Sequence, residues 1–158
     1  MGIDPGTVEA QIHDAVNNVR IVRDLPLLKI DTDLRQIARN HSQDMAQRGY
    51  VGHSTPTDTD MGDRYDRFDY ECRAPMEENF RYATGGENIA RLHVGKPVKR
   101  SDGRVVIYEN ASDLAHGAVW GWMHSQGHKE NLLKPFWRRE GIGIGIQHNE
   151  VYITQNFC

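Results

Sequence analysis

The sequence has few cysteines, no long apolar run and no large excess of charge of one sign. Its 158 residues include two cysteines, and the formal net charge is -3. No stretch approaches the roughly 20 consecutive apolar residues of a transmembrane helix, so we expect no membrane span. General nucleic-acid binders carry a basic face, which short basic clusters do not provide, so we expect no nucleic-acid partner. The composition, 38% hydrophobic and 26% charged, indicates a folded domain.

The N-terminus does not have the pattern of a signal peptide, because no basic region precedes an apolar stretch. We interpret residues 1–6 as an added leader or a flexible N-terminus, and we predict that residues 7–158 form a single domain. A trimmed mature end would begin in the same way, so this pattern does not argue against secretion.

The two cysteines, Cys72 and Cys158, allow three interpretations: reduced thiols, part of a metal site, or one disulfide. Neither lies in a Cys-x-x-Cys or Cys-x-x-His cluster, which argues against a metal site. Their spacing does not decide between thiols and a disulfide.

Helical periodicity and capping residues predict three long and two short helices. The long segments cover residues 7–23, 31–49 and 110–123, and the short ones cover 61–68 and 128–133. A glycine before the last segment is expected to separate it from the helix that precedes it.

Strand patterns concentrate in the second half of the chain. Residues 87–92 are typical of a short buried strand, and isoleucines alternate with glycines over 142–146. A turn is predicted at 148–149 and a strand at 151–157. We interpret residues 94–108 as a loop or an excursive hairpin. Helices followed by a terminal antiparallel hairpin predict the α+β class.

Three ionisable residues stand in turn-forming or apolar surroundings. Glu87 enters its strand after two glycines, and a buried carboxylate there must be paired, hydrogen-bonded or metal-bound. A carboxylate that only caps backbone amides explains Glu87 equally well. His53 and His128, taken singly, are ordinary loop or packed histidines. If the fold brought all three together, they would form a three-ligand zinc site with a fourth position for water.

Other residues near the candidate histidines offer weaker chemistry. His124 is separated from the next histidine by Gly127, so a shared metal is not expected. Ser125 does not lie in a Gly-x-Ser-x-Gly motif, which argues against a serine hydrolase. Trp120 and Trp122 cannot face the same side of a helix, so one of them could border a cleft.

An ordered set of motifs resembles the CAP superfamily, which includes cysteine-rich secretory, antigen 5 and pathogenesis-related proteins and a prokaryotic SCP-like extracellular branch. The motifs are Val16-Asn-Asn-Val-Arg20, Gly49-Tyr-Val-Gly-His53, Gly86-Glu-Asn-Ile-Ala90, Trp122-Met-His-Ser-Gln-Gly-His-Lys-Glu-Asn-Leu-Leu133, Gly141-Ile-Gly-Ile-Gly145 and Tyr152-Ile-Thr-Gln155. The resemblance implies an α-β-α sandwich with a three-stranded antiparallel sheet between helices.

The resemblance also implies site residues. His53 and His128 correspond to the two cleft histidines of the family, and Glu87 to the glutamate of its Gly-Glu-Asn motif. Together they imply a metal set suited to zinc. Ser125 stands where many relatives carry a second glutamate. We therefore expect a cleft that also contains Ser125, His124 and Asn88.

The family is largely extracellular, so the resemblance implies secretion and a disulfide between Cys72 and Cys158. We expect a binding module with a metal-capable cleft, whose partner is a lipid, another small apolar molecule or another extracellular ligand. A zinc-dependent hydrolase or peptidase, with Glu87 as the catalytic base, is the alternative. The missing second acid favours binding over catalysis. The third interpretation is a structural extracellular domain, in which the polar site only rigidifies the cleft.

Overall fold

The computed structural model describes residues 2–77 and 80–158. Its helices are α1 (Pro5–Ile21), α2 (Thr32–Arg48), α3 (Met61–Arg67), α4 (Ala111–Met123) and α5 (Gln126–Leu132). Its strands are β1 (Lys29–Ile30), β2 (Ala74–Pro75), β3 (Tyr82–Ala83), β4 (Gly86–His93), β5 (Val98–Lys99), β6 (Val105–Val106), β7 (Arg139–Gln147) and β8 (Glu150–Phe157).

Side-chain caps set where the long helices begin. Asp31 caps α2 and Asn110 caps α4, as their positions in the sequence predict. The α1 helix begins at Pro5, two residues earlier than predicted, because Asp4 caps its first turn. Residues 5 and 6, which we assigned to the leader, are therefore helical, and Met1 lies outside the described residues.

The main sheet has the strand order β1-β7-β8-β4. Strands β4, β8 and β7 form the expected three-stranded antiparallel unit, with Glu87 opposite Asn156 and Gly143 opposite Thr154. The two-residue strand β1, which the sequence does not predict, adds a parallel edge to β7. The segment 94–108 contains the hairpin β5–β6.

Helices cover both faces of this sheet. On one face, α2 lies directly on β7 and β8, where Ser42 donates to the Gly143 carbonyl at 2.8 Å and contacts Thr154 at 2.7 Å. On the other face, α1 and α4 pack over alternate side chains such as Ile144 and Ile153, which are buried in the core. This is the predicted α-β-α sandwich.

A stripe of glycines lets α2 approach the sheet closely. A Cβ atom added at Gly141, Gly143 or Gly145 would collide with the backbone of α2. The alternation of glycine and isoleucine in β7 therefore has a packing cause: glycine faces α2, and isoleucine faces the core.

The C-terminus is bonded to the middle of the chain. Cys72 and Cys158 form a disulfide, with their sulfur atoms 2.05 Å apart, across a sequence separation of 86 residues. No described helix is long and apolar enough to cross a membrane.

Candidate functional site

A polar cleft of about 340 Å³ lies between the loop after α2, the start of β4 and the short helix α5. His53, Glu87 and His128 all line it, together with Asn88 and Ser125. The structure therefore brings the three predicted residues to one place.

The loop that carries His53 is held by a buried histidine. Helix α2 ends at Gly49, whose φ of 69° is left-handed and suits glycine. The imidazole of His41, which is 1% exposed, donates from Nε2 to the Gly52 carbonyl at 2.8 Å. This bond fixes the backbone immediately before His53.

Glu87 is buried, and its carboxylate is surrounded by donors. Arg64 donates to both of its oxygens, at 2.9 and 2.7 Å, and Asn156 donates to Oε2 at 2.8 Å. His53 Nδ1 lies 3.0 Å from Oε1. Burial alone would raise the pKa of this carboxyl, but the bond to His53 and the charge of Arg64 outweigh it and hold the pKa below its usual value.

Gly86 allows Glu87 to enter the site from a crowded strand. A Cβ atom at Gly86 would lie 2.8 Å from the Trp137 ring and 2.9 Å from the Asn131 amide oxygen. Asn131 in turn donates to the Glu87 carbonyl at 3.0 Å. The glycine before Glu87 is thus required by a close side-chain approach.

The bond to Glu87 determines the tautomer of His53. A carboxylate only accepts, so Nδ1 carries the hydrogen, and in the neutral ring Nε2 keeps a lone pair. The His53 side chain is 54% exposed, whereas that of Glu87 is 2% exposed. A buried carboxylate thus orients an accessible imidazole.

His128 is held by the serine that begins its own helix. Ser125 precedes α5 but makes no capping bond, and its Oγ lies 2.8 Å from His128 Nδ1 instead. Burial, and secondarily the charge of nearby His53, lower the pKa of His128. The neutral ring, which has a lone pair to offer, is therefore favoured.

Asn88 forms the floor of the cleft and is 1% exposed. Its amide donates to the His128 carbonyl at 3.2 Å and to Gln155 Oε1 at 3.1 Å. Gln155 Nε2 in turn donates to Oε1 of the buried Glu140 at 2.7 Å. The other oxygen of Glu140, Oε2, lies 2.7 Å from His13 Nδ1. A chain of polar side chains therefore runs from the cleft across the sheet face opposite α2.

Comparisons with known proteins agree with this fold and these motifs. The CAP family, described as the cysteine-rich secretory protein family, matches residues 13–157. The chain belongs to the CAP family.

Bacterial relatives support the prokaryotic branch. The CAP domain is 28% identical over 151 residues to the uncharacterized membrane protein YlbC of Bacillus subtilis, covering 96% of this chain and 34% of that protein. It is 29% identical to an extracellular SCP-domain protein of Bacillus anthracis, with a TM-score of 0.68, covering 97% of this chain and 40% of that structure. The chain thus spans less than half the length of these relatives.

The crystal structure of NaASP2 with Zn²⁺ shares the fold. Its identity is 12% and its TM-score is 0.54, over 96% of this chain and 77% of that one. At this identity the likeness shows the fold alone.

The carboxylate of Glu87, a predicted metal ligand, is engaged by protein donors in this structure. Among residues 2–77 and 80–158, no group of three His, Cys, Asp or Glu side chains is arranged to hold a metal ion. The carboxylate of Glu87 already accepts from Arg64, Asn156 and His53. The His-Glu-His ligand set stays a prediction, in which Glu87 would have to exchange these donors for the metal ion.

His124 does not line the cleft, contrary to expectation. Its ring stacks on Trp120 with centroids 3.9 Å apart, and Nδ1 bonds the Trp120 carbonyl at 2.7 Å. These contacts place the His124 ring in a different groove, beside Trp120, because His124 follows Trp120 by one helical turn. Gly127 was predicted to separate two helices, but it lies inside α5.

That second groove, of about 720 Å³, lies between α1, α4 and the β5–β6 hairpin. Its lining includes the apolar side chains Val19, Ile107, Trp120 and Met123. Trp120 is covered by the guanidinium of Arg100, 4.1 Å from its ring centroid. Trp122 instead is 2% exposed in the core and donates to a β4 carbonyl at 3.0 Å.

Sequence reasoning missed Arg64 and Asn156, the two residues that hold Glu87. Arg64 is 4% exposed although it lies in a short polar helix. Asn156 is buried opposite Glu87 in the strand register. Only the strand pairing, which would place Asn156 beside Glu87, could have indicated one of them.

Proposed function

We propose that the cleft binds a divalent transition metal such as zinc through the Nε2 atoms of His53 and His128. The observation that carries this proposal is that each imidazole is held through Nδ1, by Glu87 and by Ser125. A supporting hydrogen bond to the other ring nitrogen is the usual arrangement around a metal-bound histidine. Water or a ligand would complete the coordination of the metal.

The chemistry of the two imidazoles supports such an ion without Glu87 as a ligand. Imidazole nitrogen is a preferred zinc donor, and the lowered pKa of His128 favours its neutral form. The fold is also that of NaASP2, a protein with a crystal structure with Zn²⁺.

We propose binding rather than hydrolysis as the role of the cleft. In the alternative, a zinc-dependent hydrolase or peptidase, Glu87 would take a proton from water. Here its carboxylate is occupied by Arg64 and Asn156, and its lowered pKa makes it a weak base. Ser125, in the place of the second acid, cannot exchange a proton near neutral pH.

Calorimetric titration with zinc chloride tests the metal site. We expect one ion per chain for the parent protein, and loss of that binding in both His53→Ala and His128→Ala. His93→Ala is the matched control, because His93 faces Glu150 at the far end of β4. Equal zinc affinity in all of these proteins would exclude the proposed ligands.

We also propose that the groove between α1 and α4 takes a small apolar ligand such as a fatty acid. Its volume of about 720 Å³ is in the usual range for ligand pockets. An apolar lining around Trp120 and Met123 would favour an alkyl chain.

Fluorescence titration with cis-parinaric acid, followed by displacement with palmitate, tests this second site. Ile107→Asp puts a charge on an exposed residue of the groove and should weaken binding at least about tenfold. Val105→Asp, on an exposed neighbour outside the groove lining, should leave it unchanged. Similar losses in both variants would show that the probe binds elsewhere.

We further propose that the domain works outside the cytoplasm. A disulfide persists in an oxidising compartment, and the Bacillus anthracis relative is described as extracellular. Detection of the natural protein in the cytoplasm, with reduced cysteines, would contradict this.

A further inference from the structure

Arg64, the partner of Glu87, also lines a smaller polar cavity. Its volume is about 110 Å³, and it is enclosed by α2, α3 and the turn at residues 55–59. Basic and hydroxyl side chains dominate its lining: Arg48, Arg64, Arg67, His41, Thr57 and Thr59. A water molecule occupies about 30 Å³ in the liquid, so the cavity holds more than one water.

Two buried polar atoms of the lining residues have no hydrogen-bond partner within the described part of the chain. They are His41 Nδ1 and Arg64 Nε, in side chains that are 1% and 4% exposed. A buried polar group without a partner costs stability, and such groups are rare in native proteins. A molecule in the cavity that accepts from Arg64 Nε and contacts His41 Nδ1 would remove this cost.

The charges around the cavity do not cancel. Arg48 pairs with Asp44 at 2.7 Å, and Arg64 pairs with Glu87 at 2.7 Å. Arg67 has no carboxylate within ion-pair distance among residues 2–77 and 80–158, and its guanidinium lies 3.4 Å from the Thr59 hydroxyl. The guanidinium of Arg67 is therefore not compensated by a carboxylate of the described residues. The cavity favours an anion and repels a metal ion.

His41 restricts what kind of anion fits. Its Nε2 carries the hydrogen, since the Gly52 carbonyl can only accept. Burial lowers the pKa of His41, so the ring is neutral and Nδ1 is an acceptor. A complementary anion must therefore accept from arginine and also donate one hydrogen bond.

We propose that this cavity is a binding site for hydrogen phosphate. Its oxygens accept from Arg64 Nε, Arg67 and the threonine hydroxyls, and its own O–H donates to His41 Nδ1. Sulfate has the same shape and charge at neutral pH but has no hydrogen to donate. The dianion of a phosphate monoester also has none, so free phosphate is preferred over a phosphorylated molecule.

Calorimetry of the whole chain with sodium phosphate, in EDTA-containing buffer at pH 7.5, tests the proposal independently of the metal site. We expect one phosphate per chain. Sulfate and methyl phosphate should bind at least about fivefold more weakly, because each leaves His41 Nδ1 without a donor. Arg67→Gln should weaken phosphate binding by about tenfold or more.

Arg104→Gln is the matched control, since it removes the same charge from an exposed hairpin residue. Neither arginine is buried, so both variants should fold. The proposal is overturned if phosphate does not bind, if the two variants lose affinity equally, or if sulfate or methyl phosphate binds as tightly as phosphate.

Discussion

Glu87 is an ionised group in a nearly dry environment, and its neighbours explain why it is tolerated there. Its side chain and that of Arg64 are 2% and 4% exposed, so each depends on the other for charge compensation. Removing one partner from such a pair leaves an uncompensated buried charge, which costs more than the pair contributes. The cost of a substitution should therefore depend on burial rather than on the number of ion pairs.

Glu87→Gln is expected to lower the free energy of unfolding by about 3–5 kcal/mol, because Arg64 stays buried without a counter-charge. Urea denaturation measures this. Glu71→Gln is the control, since the pair of Glu71 with Arg73 is 75% and 69% exposed, and its loss should cost less than about 1 kcal/mol. Equal costs would mean that Glu87 is not held as described.

His13 should make stability depend on pH. Its hydrogen bond to Glu140 raises its pKa above the ordinary value, against the opposing effect of burial. The folded state thus binds the proton more tightly than the unfolded state. The resulting stabilisation is fully present below about pH 6.5, the unfolded pKa, and is lost as pH rises through the folded pKa.

His13→Gln removes this titration while keeping a polar side chain. Urea denaturation at pH 5.5 and pH 8.5 should therefore show a larger loss of stability, relative to the parent, at the lower pH. A difference that is the same at both pH values would contradict the assignment of a raised pKa.

At the scale of elements, the contact of α2 with β7 depends on the absence of side chains. Gly143→Ala would push a methyl group into the backbone of Arg39, and a backbone cannot rotate away as a side chain can. We expect a loss of at least about 3 kcal/mol in unfolding free energy by denaturant titration.

Gly121→Ala is the control for that substitution. Gly121 lies within α4, and a Cβ atom added there has nothing within 4 Å. Alanine should stabilise the helix by up to about 1 kcal/mol. If both substitutions had the same effect, close helix–sheet packing would not be the reason for the glycines in β7.

Sequence patterns predicted the elements that carry a period or a cap. The long helices have caps such as Asp31 and Asn110, and β7 alternates strictly. The two-residue strand β1 was missed because two residues have no period. The start of α5 was misplaced because Gly127 resembles a breaker but lies on an open helix surface with nothing near its Cβ position.

At the scale of the molecule, the disulfide and the sheet bring together residues that are distant in sequence. The Cys72–Cys158 bond joins residues with a sequence separation of 86, and cross-links of this kind contribute about 2–5 kcal/mol. His53, Glu87 and His128 were predictable from the family resemblance of their motifs. Arg64 was not, because nothing in a short polar helix marks one arginine as buried.

The central claim is that Glu87 positions His53 and does not itself bind the metal. Anomalous diffraction above and below the zinc edge, from crystals grown with zinc, tests it most directly. We predict one anomalous peak in the cleft, bonded to Nε2 of both His53 and His128, with Glu87 still bound to Arg64. A zinc ion bonded to the Glu87 carboxylate, or no peak in the cleft, would contradict the account.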